Sequence, residues 1–390
     1  MSPRKRGEET LRTSANLPPF TGGTRGVGRK SCSIPFFVYF VCFVVPKPPL
    51  NAAQIKAHAL ALGFHLVGIA PAGRLPEADF YRSWLANGYA GEMRYLSAHL
   101  EKRENARLLF PPARSVIVCG LSYHAAPVSP LAPENPLQGR IARYAWGADY
   151  HTVVKAKLAA LLESIRKTAP RPVEAQICVD TAPLSERVYG KYAGLGWLGK
   201  NSCLINQRYG SWFFLGEILL NLDLECDAPV ADRCGTCTRC LAACPTQALV
   251  APQMLDARRC LSYLTIELKN SIPAEFRKAL GNRVFGCDCC QEACPWNHKA
   301  IIPESSAFAA RAELCQPDLA WLLTLSAETF NTVFRNNPVK RAKLRGLLRN
   351  TAIAIGNSGN PAFISLLANL HEQADPLVQP HIAWALQQLS

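Results

Sequence analysis

Cys234-Gly-Thr-Cys237-Thr-Arg-Cys240-Leu-Ala-Ala-Cys244-Pro245 reads C-x2-C-x2-C-x3-C-P. In this spacing three thiolates hold one 4Fe-4S cluster while the fourth reaches across to another. The short gaps bring three sulfurs to one side of a cubane, and Pro245 turns the fourth away. A second set follows at Cys287, Cys290 and Cys294-Pro295, with Val284 where its first cysteine would stand. That set is one ligand short, and Cys260 is the leading candidate to fill the gap. Two clusters need eight thiolates. Cys234, Cys237, Cys240 and Cys294 are therefore paired on one cluster, and Cys244, Cys260, Cys287 and Cys290 on the other. The competing reading is a zinc ribbon, since paired C-x2-C motifs also make tetrahedral zinc sites. Two C-P-terminated sets with a longer last gap favour clusters. Cys289, adjacent to Cys290, ranks below Cys260 as a ligand.

Sixteen cysteines in 390 residues could suggest a secreted disulfide scaffold. The chain is too long for that, and half of its cysteines fall at cluster spacing. The other eight, Cys32, Cys42, Cys119, Cys178, Cys203, Cys226, Cys289 and Cys315, read as small hydrophobes. Cluster assembly and low-potential electron transfer favour a reducing cytoplasm. The length allows two or three domains. Composition is that of a soluble protein, 49% hydrophobic and 18% charged, but the net charge is +14. Such a charge points to a polyanionic partner, nucleic acid or a membrane surface. Residues 1–50 hold eight Lys/Arg against Glu8 and Glu9, so about +6 lies there and about +8 elsewhere.

Residues 1–48 look foreign to the rest: basic, rich in Gly, Ser and Pro, then apolar from Ile34 to Val45. Twelve apolar residues interrupted by Pro35 cannot span a bilayer as a helix. A start placed too far upstream explains the segment, with the domain beginning near Leu50. From Asn51 the pattern turns regular. Asn51 caps a helix through Leu62 that stops at Gly63. Leu66–Ala70, Ser115–Cys119 and Ala175–Val179 read as buried strands, with a helix over Tyr150 to about Thr168. Gly210–Leu220 resembles another strand. Alternating strands and helices indicate an α/β layer architecture over residues 49–225, followed by a ferredoxin-like two-cluster domain over 226–300. In the remainder, 301–390, Lys343–Ile355 places Leu344, Leu347, Leu348, Ala352 and Ile355 on one face. Gly356-Asn357 ends that helix. Two further helices, after Pro361 and Pro376, complete a short HEAT-like repeat domain.

Other constellations are weaker. Asp180 ends an apolar strand, at the edge where ligand sites of α/β sheets gather. Partial burial would raise its pKa and let it donate a proton near neutral pH; from spacing alone, a helix cap is the somewhat better reading. The glycine-rich Gly194-Leu-Gly196-Trp-Leu-Gly199-Lys200 allows close backbone approach to a ligand, but matches no dinucleotide or P-loop fingerprint. Asp149-Tyr150-His151 is half of a D-x-H-x-x-G cobalamin motif, which fails because Val154 stands at the glycine. Arg335, Lys340, Arg341, Lys343, Arg345 and Arg349 form a basic run suited to a solvated face or to phosphate contacts.

Taken together, Arg143–His151, Val179-Asp-Thr-Ala-Pro183 with Arg187, Gly194–Asn201, Arg259–Glu267 and Gly286–Asn297 make the chain resemble the epoxyqueuosine reductases. The resemblance runs from about residue 50 to the C-terminus. It implies reduction of epoxyqueuosine to queuosine at the wobble position of tRNA anticodons. Two 4Fe-4S clusters would relay single electrons to cobalamin, fed by an external low-potential donor, in a cytoplasmic monomer. It implies that Asp180 is the proton donor, displacing the helix-cap reading. It places Arg103, Asp180, Leu204, Leu215, Ser262, Cys287 and Asp288 around the corrinoid and assigns Cys260 to the second cluster. Glu267 and Leu268 resemble positions near the tRNA, with Arg341, Lys343 and Arg345 adding charge. Cys289 departs from the family pattern, where a non-cysteine is usual. Two readings compete: a reductive dehalogenase, which also joins cobalamin to two clusters, and a two-cluster electron carrier, which would purify without cobalt.

Overall fold

Asn51 starts the first helix with a reciprocal cap. Its side chain accepts the Gln54 N–H at 2.9 Å, and the Gln54 side chain accepts the Asn51 N–H at 3.1 Å. The resulting α1 (Ala52–Ala61) is followed by Gly63 at φ +84°, where a side chain would be strained. The computed structural model describes residues 50–125, 135–304 and 308–390. The sequence expectations for residues 1–48 lie outside them.

Four strands, β1 (Leu66–Pro71), β2 (Ser115–Ser122), β3 (Ala175–Cys178) and β4 (Phe213–Leu220), form one sheet in the order β1-β2-β4-β3. Helix α2 (Tyr150–Thr168) packs with α1 on one face, and α3 (Glu186–Tyr192) covers the other. Strand alternation sends Ile117, Cys119 and Ile218 to the first face, and Val116, Val118 and Leu219 to the second. Helices thus cover both faces, as the alternation predicts. Yet every strand pair in this sheet is antiparallel. The carboxyl-edge rule for parallel sheets therefore has no hold on Asp180, which simply follows β3.

The cysteine-rich segment builds short helices: α4 (Arg239–Ala242), α5 (Leu261–Ile266) and α6 (Cys289–Glu292). Val284 stands in a short strand, Arg283–Phe285, that pairs in parallel with Arg140–Ile141. The position where a cluster ligand was missing is thus fully buried core.

Helix α7 (Lys343–Ser358) runs past Gly356-Asn357 and ends before Gly359, at φ +64°. Gly356 stays helical because α9 (Gln379–Leu389) crosses it, and an added Cβ would meet Ala385 Cα at 2.8 Å. Between them lies α8 (Ile364–His371). Burial on α7 extends beyond the expected face to Arg349, Asn350, Thr351 and Ile353. Arg349 is 1% exposed, so the basic run loses this member to the interior. Its guanidinium donates to the carbonyls of Leu264 and Leu268 at 2.7 and 2.9 Å, filling acceptors that the end of α5 leaves open. Val284, Phe285 and Ile266 share one apolar core with α7 and α9. Among the described residues no helix is long and apolar enough to cross a membrane.

Candidate active site

Cys234, Cys237, Cys240 and Cys294 line a single cleft with Lys200, Arg233 and Trp296, enclosing about 390 Å³, part of it open to solvent. The fourth cysteine comes from the second motif, through the packing of α4 against α6. Burial raises the Cys294 thiol, with Cys234 and Cys237 adding to it. Of the other four, Cys244, Cys260 and Cys290 lie near one another, while the thiol beside Cys287 is Cys289. Burial pushes Cys260 up, with Cys244 contributing, and Cys290 rises through burial and then through Cys203, Cys260 and Cys244. Among the described residues, no three His, Cys, Asp or Glu side chains converge on a single-ion site. Cys289 accepts from Arg283 at 2.9 Å through its sulfur and also lies against Cys287 and near Cys260.

Asp180 lies in the loop between β3 and α3 with its backbone left-handed, at φ +56°. It caps no helix; Ser185 holds the N-cap position of α3. Its carboxyl accepts the Tyr150 hydroxyl at 2.8 Å and stands 3.2 Å from His151 Nε2. The other imidazole nitrogen lies 2.7 Å from Asp149. Partial desolvation raises the Asp180 pKa, but the bonds from His151 and Tyr150 outweigh it and leave the carboxyl, whose side chain is 56% exposed, below its ordinary value. This overturns the expectation that burial makes Asp180 an acid at rest. The proton sits next door: hydrogen bonds to Asp149 and Asp180 hold His151 up at about 9. A carboxylate, an imidazolium and a phenol thus share one proton-handling cluster.

Other site residues gather round two tyrosines. Burial raises the Tyr144 hydroxyl, and the nearby charges of Asp180, Asp288 and Glu267 raise it further. Tyr95 is 45% exposed; Arg103 donates to its carbonyl at 3.2 Å and Arg341 lies over its ring at 5.6 Å. Asp288 accepts the Arg143 backbone N–H at 2.8 Å. Arg143 lies over the rings of Trp146 and Trp212, at 5.1 and 5.4 Å. Arg103 and Arg143 each keep a buried Nε–H without an acceptor. Leu204 is buried and Leu215 partly so, both against Gly190 of α3. Ser262 is half-buried in the first turn of α5, and Cys287 just precedes α6. Arg341 grips Glu267 through two bonds of 2.9 Å. Lys343 and Arg345 are exposed, whereas Leu268 packs inside. The glycine-rich stretch serves packing: a Cβ on Gly196 would meet the Ile205 carbonyl oxygen at 2.2 Å.

Sequence reasoning passed over Tyr150 and His151 once their motif failed, and it missed Tyr95, Tyr144, Glu186 and Glu217. Only Glu217 left a signal, as the one carboxylate within the apolar run Phe213–Leu220.

Residues 233–297 match the family described as a 4Fe-4S double cluster binding domain. The chain is thereby a two-cluster iron–sulfur protein. Residues 103–181 match the family described as epoxyqueuosine reductase QueG, DUF1730. The epoxyqueuosine reductase of Xanthomonas campestris is 40% identical over 347 residues, covering 88% of this chain and 97% of the relative. That of Escherichia coli is 39% identical over 340 residues, covering 86% and 89%. The chain belongs to the epoxyqueuosine reductase family. The Bacillus subtilis enzyme, solved with its catalytic aspartate loop swung out of the active site, superposes with a TM-score of 0.80 at 30% identity, covering 87% of this chain and 90% of that one. An epoxyqueuosine reductase solved with an epoxyqueuosine-modified tRNA-Tyr stem loop gives 0.77 at 29% identity, covering 86% and 98%.

Proposed function

We propose that this chain reduces epoxyqueuosine to queuosine at the wobble position of tRNA anticodons, using two 4Fe-4S clusters and cobalamin. The observation that carries the reading is the gathering of Asp180, His151 and Tyr150 with Arg103, Asp288, Glu267 and Arg341 around Tyr95 and Tyr144. Cys234, Cys237, Cys240 and Cys294 would hold one cluster, and Cys244, Cys260, Cys287 and Cys290 the other. Arg103, Asp180, Leu204, Leu215, Ser262, Cys287 and Asp288 would hold the corrinoid. The fit rests on chemistry: orphaned Nε–H donors on Arg103 and Arg143 suit a ligand rich in amide and phosphate acceptors. A corrinoid bound there supplies the electrons that the clusters deliver singly.

Loss of the epoxide oxygen as water takes two electrons and two protons. Protons are this chain's part of the work. Asp180 waits as a carboxylate that takes a proton from the His151 imidazolium as the oxygen departs and passes it on; solvent reprotonates His151, and a second proton by the same route completes the water, while Asp149 fixes the ring. Glu267, Arg341, Lys343 and Arg345 form the tRNA side, with Leu268 packed beneath them and the C-terminal helices acting as a HEAT-like support. The chain would work as a cytoplasmic monomer fed by an external low-potential donor. Movement of the catalytic aspartate loop in the Bacillus subtilis relative fits a loop that must admit a nucleoside. The test is a strain lacking its own epoxyqueuosine reductase, complemented with this chain, with tRNA nucleosides separated by liquid chromatography. Queuosine should replace epoxyqueuosine, and persistence of epoxyqueuosine despite good expression contradicts the proposal.

A further inference from the structure

Glu217 lies in the middle of the sheet, in register with Val118 on one side and Cys178 on the other. It is 0% exposed, and neither carboxyl oxygen meets a hydrogen-bond donor. The polar group it faces is the Glu186 carboxyl, in the first turn of α3. Glu217 is enclosed and Glu186 only half-buried, so the two neighbouring carboxyls resist ionising together and the enclosed one keeps its proton. Glu186 has a second contact, accepting the backbone N–H of Asp180. Asp180 itself is left-handed, at φ +56°, a conformation that aspartate adopts more readily than most residues and that the Glu186 bond to its N–H holds in place.

We infer that Glu186 and Glu217 form a proton-sharing pair that positions Asp180, with Glu186 as the latch on the Asp180 peptide and Glu217 as its buried proton store. The inference rests on the assignment of Asp180 as proton donor. Ionised Glu186 is a strong acceptor for the peptide N–H, and protonated Glu186 a weaker one. The surroundings set where it switches. Burial raises Glu186 to about 7, Asp180 adds to this, and Arg187 opposes it. Burial and then Glu186 keep Glu217 neutral. The other titratable groups within reach are Cys119 on β2, Cys178 on β3, Tyr189 on α3 and Tyr150 on α2, together with His151, which stands 3.2 Å from the Asp180 carboxyl and stays charged up to about 9. The thiols and phenols stay neutral through this range, so the latch tightens as pH rises through about 7. A carboxyl that served packing alone would be a costly choice here, since an apolar residue needs no partner.

The test is amide hydrogen exchange across residues 179–186 of the full-length, cluster-reconstituted protein between pH 6 and 8.5, normalised for intrinsic exchange. Wild-type protection should rise by about tenfold over that range, the worth of a charge-assisted bond over a neutral one. Glu186→Gln keeps an acceptor oxygen but cannot ionise, so its protection should be flat with pH. Glu217→Gln donates to Glu186 and should move the rise to lower pH. Glu186→Ala should lose about tenfold at pH 8. A wild-type rise in Glu186→Gln, or wild-type protection in Glu186→Ala, overturns the inference. Asp180→Asn in the same series separates the two claims. Normal turnover by that variant removes Asp180 as donor, while the exchange data still judge the latch.

Discussion

At Asp180 two effects oppose each other, and the hydrogen bonds win over partial desolvation. Asp180→Asn keeps the shape and removes the carboxylate that relays the His151 proton. Its turnover should fall by about a hundredfold or more, the usual worth of a positioned acid, with both clusters and tRNA binding retained. Turnover within a few-fold of wild type would remove Asp180 from the chemistry. His151 gives a prediction with a definite sign. Its folded pKa, about 9, lies above the ordinary 6.5. The stability it contributes is therefore complete below about 6.5 and is lost as pH rises through about 9. The melting temperature of wild type should exceed that of His151→Gln most at pH 6 and least at pH 9.5; a gap that widens with pH contradicts the imidazolium. Among the thiols, Cys260→Ala should lose one cluster and Cys289→Ala neither, read as iron per chain. Full iron in the Cys260 variant would return the fourth ligand to Cys289. The cleft that Cys234, Cys237 and Cys240 share with Cys294 was legible because motif spacing carries it. Asp180's charge state was not, because its partners lie 29 and 30 residues away in sequence.

Elements with local signals were read closely from sequence. The Asn51 cap and the helix Tyr150–Thr168 stand where residues alone placed them. What failed depended on distant neighbours. Strand direction is decided by which strands meet, and β4 inserts between β2 and β3. Helix α7 seemed one-sided because periodicity counts arginine and asparagine as surface residues. In the fold, Arg349 spends its donors on α5 carbonyls, and Asn350 donates to the carbonyls of Thr265 and Val284 at 2.8 Å. Such side chains act as bolts between elements. Arg349→Ala would leave two or more buried carbonyls unpaired, at about 1–3 kcal/mol each. Denaturant unfolding should show a loss of about 3 kcal/mol or more; a loss under about 0.5 kcal/mol, the usual surface value, would mean that those carbonyls find other partners.

Over the whole molecule, the core that joins α5 and the strand Arg283–Phe285 to α7 and α9 links the two-cluster segment mechanically to the basic helix. The net charge of +14 suits a polyanionic partner, and exposed Lys343 and Arg345 leave charge for it. The central claim is that two clusters, a corrinoid and the Asp180 cluster act together on a modified tRNA. The most direct measurement is an anaerobic turnover of epoxyqueuosine-containing tRNA by the purified chain, reconstituted to about eight irons and loaded with cobalamin under a low-potential reductant. Queuosine should form in the complete mixture and fail to form when either cobalamin or iron is withheld. Unchanged epoxyqueuosine in the complete mixture, or queuosine formed equally well without cobalamin, would contradict the account.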